Sequence, residues 1–90
     1  VSVARRFGAN FARTRRRAGL SQEEVAVRAS LHRTEIGLVE RGERLPRIDT
    51  ALRLAGALEV PLDDLLDGIT WTPGETRPGH FKPSAGEREA

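Results

Sequence analysis

The sequence predicts an all-α domain of five short helices, followed by an irregular or short-strand tail. Three observations predict it. Apolar residues recur at spacings of three and four through most of residues 2–66, the mark of helices with one buried face. Glycines and N-capping residues punctuate those runs at intervals of one helix length. Beyond Gly68 the periodicity stops, and proline and glycine become frequent. Ninety residues hold one small domain with a modest core.

The first helix is predicted over residues 2–18, where Val3, Phe7, Phe11, Thr14 and Ala18 share a face. Gly19 stops it, because glycine enters the left-handed region cheaply. Ser21-Gln22-Glu23-Glu24 then matches the S-x-x-E capping box. A second helix therefore runs over Gln22–Ala29, with Val25, Ala26 and Ala29 inward. It is short enough to need packing for stability. Residues 30–32 make a tight turn, and a third helix spans residues 33–41 with Ile36 and Val39 buried. Gly42 ends it, and a loop with Pro46 follows. The fourth helix covers Ile48–Leu58, with Ile48, Leu52, Ala55 and Leu58 inward and Ala51 and Leu54 beside them. Val60-Pro61 breaks it. Pro61 suits the start of a fifth helix over residues 62–66, since a first turn tolerates a missing amide. Asp63 and Asp64 there favour the helix dipole. Residues 69–72 and 80–82 read as short strands of a loose hairpin, and residues 83–90 as disordered. The chain thus divides into a helical domain, 1–68, and a tail, 69–90.

The formal net charge is +2, but it is unevenly placed. Residues 1–20 carry +6, residues 21–58 balance, and residues 59–90 carry −4. A basic front and an acidic back point to a polyanion on one side only. No cysteine is present, which excludes disulfides and thiolate metal sites. His32 and His80 are too far apart for a short metal motif, so neither metal nor cofactor is expected. No run of 18 apolar residues suggests a membrane span, and no h-region suggests a signal peptide, so a cytoplasmic location is expected. Tyrosine is absent and tryptophan single, which argues against stacking platforms for single-stranded nucleic acid. Neither a P-loop nor G-x-G-x-x-G occurs, and Ser21 is committed to a cap, so no enzyme is expected.

Two short helices joined by a tight turn inside a helical domain have helix-turn-helix geometry. Gly19-Leu20-Ser21-Gln22-Glu23-Glu24-Val25-Ala26, Arg33-Thr34-Glu35-Ile36 and Val39-Glu40-Arg41-Gly42 closely resemble the Cro/lambda-repressor-like (XRE-type) helix-turn-helix family. Ile48-Asp49-Thr50-Ala51-Leu52-Arg53-Leu54-Ala55 and Leu62-Asp63-Asp64-Leu65-Leu66 resemble its fourth and fifth helices. The resemblance spans residues 7–66 and rests on several motifs in order. It implies a compact five-helix, lambda-repressor-like domain whose third helix enters the major groove of double-stranded DNA. It also implies a bacterial transcriptional regulator, expected to be a repressor.

With Ile36, Val39 and Glu40 inward, Arg33, Thr34, Gly37 and Leu38 become the expected base-reading set. Arg33 has the forked donors that fit guanine O6 and N7, and Thr34 suits a base, a phosphate or a thymine methyl. The resemblance implies that Gln22, at a helix N-terminus, holds a DNA phosphate and braces the recognition helix. It also implies a buried ion pair between Arg15 and Glu40. Arg41, Arg44 and Arg47 read as backbone clamps, and Arg13 and Arg17 are expected near the phosphates too. Four residues depart from the family pattern. Ser30 stands where the turn usually has glycine, Gly37 lies inside the recognition helix, Leu38 is apolar on the DNA face, and Thr14 replaces an aliphatic.

A twofold dimer on a pseudo-palindromic operator is expected, since one recognition helix covers few base pairs. Leu65, Leu66, Ile69, Trp71 and Phe81 are the expected dimer or partner contacts. The alternative is an antitoxin-type interaction module whose tail binds a protein partner, with Trp71 and Phe81 as anchors.

Overall fold

The computed structural model describes residues 2–82. The disorder expected for residues 83–90 therefore lies outside the described residues. Five helices are present: α1 (Val3–Arg17), α2 (Gln22–Ala29), α3 (Arg33–Glu40), α4 (Ile48–Leu58) and α5 (Leu62–Leu65). An antiparallel pair follows, β1 (Thr70–Thr72) and β2 (His80–Lys82). Every element lies within a residue or so of its expected bounds.

The caps explain that agreement. Ser2 Oγ accepts from the Arg5 amide at 3.1 Å. At α2 the capping box closes in both directions. Ser21 Oγ accepts from the Glu24 amide at 3.0 Å, and the Ser21 amide donates to Glu24 Oε1 at 2.7 Å. That backbone hydrogen bond, helped by the hydroxyl, holds the Glu24 carboxyl below its ordinary range. Helices α1 to α4 all end in a left-handed residue, at Gly19, Ser30, Gly42 and Glu59. In each case the next amide reaches back five residues, as in Leu31 to the Ala26 carbonyl at 2.8 Å. This Schellman closure satisfies carbonyls at the helix end. It places two residues with side chains, Ser30 and Glu59, at φ 58°. Replacing Ser30 by glycine removes the Cβ conflict and is expected to raise stability by about 1 kcal/mol. Thermal denaturation checks it, and an unchanged or lowered midpoint would show the turn to be unstrained.

The core lies between α1, α2, α3 and α4, with α5 closing one end. Phe7 and Phe11 of α1, Val25 of α2, Ile36 and Val39 of α3, Leu54 of α4 and Leu65 of α5 are all fully buried. Leu20, Leu31, Val60, Leu62 and Ile69 pack around them. Two sequence expectations need correction here. Ile48 and Leu52 are 68% and 55% exposed, although expected inward. The buried residues of α4 are Ala51, Leu54, Ala55, Ala57 and Leu58. At about 100° per residue, Ile48 and Leu52 lie about 90° or more from the centre of that face. Conversely, Leu65 is a core residue with no exposed surface, so it is not a contact for another chain.

Asn10 is the buried polar residue of the helical body. Its amide donates to the carbonyls of Leu65 at 3.0 Å and Asp67 at 2.9 Å. Its Oδ1 accepts from Arg13 at 2.9 Å. One side chain therefore ties α1 to the end of α5, with its hydrogen-bonding groups satisfied.

In the hairpin, Trp71 stands opposite Phe81. Their rings meet edge to face with centroids 5.1 Å apart, a favourable aromatic geometry. Both remain 54% exposed.

Candidate nucleic-acid interface

Helices α2 and α3 are joined by Ser30, Leu31 and His32 and pack on each other. What holds α3 in place is a cluster around Glu40 at its last turn. Arg15 Nε donates to Glu40 Oε2 at 2.5 Å, and Arg15 Nη2 donates to Oε1 at 3.2 Å. The two side chains are only 13% and 9% exposed. Arg15 Nη1 also donates to the Leu20 carbonyl at 2.9 Å. Gln22 Nε2 adds a hydrogen bond to Glu40 Oε1 at 3.0 Å. The cluster links the end of α1, the turn after it, the start of α2 and the end of α3. A fork-to-fork arginine–carboxylate pair fixes orientation as well as distance. Gln22 thus contacts the recognition helix directly through its amide.

Close approach of α1 to α3 accompanies this cluster. A Cβ on Gly8 would lie 2.2 Å from the Val39 carbonyl oxygen and 2.8 Å from that of Glu40. A Cβ on Gly42 would lie 2.8 Å from the Arg5 Cα. Nothing in the spacing of apolar residues marks these two glycines as contact points.

The outward side of α3 carries Arg33 and Thr34, both exposed, with Leu38 half-buried farther along. Gly37 was expected on the reading face, but it is buried. The Arg41 guanidinium covers it, and a Cβ there would meet Nη1 at 2.9 Å. Gly37 consequently offers no open surface unless Arg41 moves.

The arginines near α3 have acidic neighbours. Arg33 lies 3.6 Å from Glu23 at the start of α2. Arg41 donates to Glu43 at 2.9 Å, Arg44 to Glu35 at 2.6 Å and Arg47 to Asp49 at 3.4 Å. The hydrogen bond with Arg41 holds the Glu43 carboxyl below its usual range and raises that of the guanidinium. Apart from Glu35, which is 21% exposed, these side chains are largely exposed, so the other pairs are weak, salt-screened contacts.

Arg13 and Arg17 lie elsewhere. They line a cleft with Asp63, Asp64 and Asp67 on the α5 side of α1. Arg15, two residues from Arg13, faces α3 instead. Two residues along a helix turn a side chain through about 200°, so neighbouring arginines serve opposite sides. Among the described residues, no group of three or more His, Cys, Asp or Glu is placed to hold a metal. No helix there is long and apolar enough to cross a membrane.

Comparison with known proteins agrees with this architecture. The helix-turn-helix family (HTH_3) matches residues 12–65. The chain is 43% identical over 77 residues to an uncharacterized HTH-type transcriptional regulator, y4dJ, of Sinorhizobium fredii, covering 86% of this chain and all of that protein. It is 41% identical over 54 residues to the control protein C.BamHI of Bacillus amyloliquefaciens, covering 60% of this chain and 67% of that one. Among solved structures, the restriction-modification controller protein C.AhdI of Aeromonas hydrophila superposes with a TM-score of 0.67 at 37% identity, covering 69% of this chain and 94% of that one. With a family match over more than half its length and five helices in the expected order, the chain belongs to the helix-turn-helix family of XRE type.

Proposed function

We propose that the protein is a sequence-specific regulator of transcription that reads double-stranded DNA through α3. The observation that carries this reading is the presentation of Arg33 and Thr34, exposed at the start of a helix whose other side is locked into the core. A helix inserted in the major groove meets base edges with such residues. Arg44, Arg47 and Arg41, just beyond α3, are the backbone clamps, and Gln22 braces α3 from the phosphate side. The relatives named as transcriptional regulators and control proteins support the same reading. Residues 1–68 form the DNA-binding unit and residues 69–90 an appended tail. A twofold dimer acting as a repressor would place two α3 helices in half-sites about 10 bp apart. Leu66, Trp71 and Phe81, each partly exposed, form the apolar surface for that contact. No observation favours the antitoxin-type reading over this one.

Fluorescence-anisotropy titration with the DNA upstream of the gene and a scrambled duplex, at two salt concentrations, tests the proposal. A preference of about 10³ or more for the native DNA is expected. Weak, equal binding that vanishes with salt would overturn it. Within the same experiment, Arg33→Ala is expected to cost about 1–3 kcal/mol on the native site and little on the scrambled one. Arg44→Ala should weaken both duplexes alike. Equal behaviour of the two variants would remove the distinction between base reader and clamp.

A further inference from the structure

The arginines around the recognition helix are occupied before any DNA arrives. Among the pairs made by exposed arginines there, the tightest joins Arg44 Nη1 to Glu35 Oε1 at 2.6 Å. It differs from the others in burial. The Glu35 side chain, in the first turn of α3, is 21% exposed, whereas that of Arg44 is 55% exposed. A carboxylate oxygen at this distance takes the position on the guanidinium that a phosphate oxygen would take, since both are anionic oxygens that accept charge-assisted hydrogen bonds from its N–H groups. Paired in this way, Arg44 brings no net charge to a polyanion.

We propose that Glu35 is an intramolecular competitor for DNA phosphate at Arg44 and so limits affinity for duplexes of every sequence. This rests on the DNA-binding reading above. Binding requires Arg44 to exchange Glu35 for a phosphate, and it leaves the Glu35 charge facing the polyanion. Because phosphate contacts carry no sequence information, the restraint acts on the native and scrambled duplexes alike. Arg41 and Glu43 repeat the arrangement in the loop beyond α3, at 2.9 Å and with both partners exposed.

The test compares wild type, Glu35→Gln and Glu43→Gln on both duplexes across a salt series, with thermal melting as a check on folding. Glu35→Gln is expected to bind both duplexes about two- to fivefold more tightly at low salt. Its log–log salt slope should steepen by no more than about 0.9, as loss of the Glu35 charge lets Arg44 neutralise its phosphate in full. The gain should disappear when Arg44→Gln is added. A folded Glu35→Gln with unchanged affinity and slope overturns the proposal. If that variant does not fold, Glu43→Gln carries the same expectation at Arg41, and an unchanged slope there overturns it. Wild type that binds neither duplex overturns the DNA-binding reading as well, whereas wild-type binding with unaltered variants removes only the competitor.

Discussion

Glu40→Ala is expected to lower the stability of the folded protein by about 3–5 kcal/mol, the range for breaking a buried ion pair from one side. Glu40 accepts from Arg15 twice and from Gln22 once. Its removal strands an arginine that is only 13% exposed. The guanidinium keeps the Leu20 carbonyl as a partner but loses its counter-charge. For a domain of this size, a loss of 3 kcal/mol corresponds to a fall in Tm of about 12–24 °C. Thermal denaturation measures it. A midpoint within about 2 °C of wild type would show that the pair is dispensable. Glu40→Ala should also weaken DNA binding beyond its effect on stability, because α3 loses the contact that sets its orientation. Binding at a temperature where both proteins are fully folded separates the two effects.

Gly8→Ala is the second large effect, and it has an internal control. The added Cβ would overlap the carbonyl oxygens of Val39 and Glu40. These are backbone atoms of α3, so they move only if the two helices separate. Overpacking of this kind costs about 3 kcal/mol, against a helix-propensity gain of about 1 kcal/mol for alanine over glycine. A net loss of about 2 kcal/mol follows. Gly56 of α4 is exposed, and a Cβ there would meet nothing within 4 Å. Gly56→Ala should therefore stabilise by about 1 kcal/mol, the propensity gain alone. The same substitution thus carries opposite signs at two helical sites, and denaturant unfolding of both variants checks it. Equal shifts would refute the close approach of α1 to α3. Separation of these helices would also lengthen the Arg15–Glu40 pair, so the effects of Gly8→Ala and Glu40→Ala should not add.

The five helices and the two strands were legible in the sequence because their signals are local. A capping serine, a glycine one residue past a helix end and an apolar repeat each act through neighbours within about five residues. Arg15 and Glu40, 25 residues apart, were paired through resemblance to a family rather than through any local pattern. Other features of the site were not legible. Arg13, Arg15 and Arg17 look alike in a list of basic residues, yet Arg15 joins the Glu40 cluster while its neighbours line a cleft with aspartates. Gly37 looked open and is covered by Arg41. The acidic partners of Arg33, Arg44 and Arg47 are not legible either, because the net charge of a segment does not tell which charges touch.

The sequence by itself determined where the chain turns helical, where each helix stops and which family it joins. Those properties follow from short-range sterics, capping hydrogen bonds and hydrophobic period. Only the tertiary structure decided which face of α4 is buried, that Leu65 is core, that Asn10 ties α1 to α5 and that Gly8 permits α1 to touch α3. Each of these depends on a distance between residues far apart in sequence, set when the helices settle into one packing. Hydrophobic burial draws the helices together without specifying direction. Close-packed backbone contacts and buried polar groups that need partners then select the arrangement that presents Arg33 and Thr34.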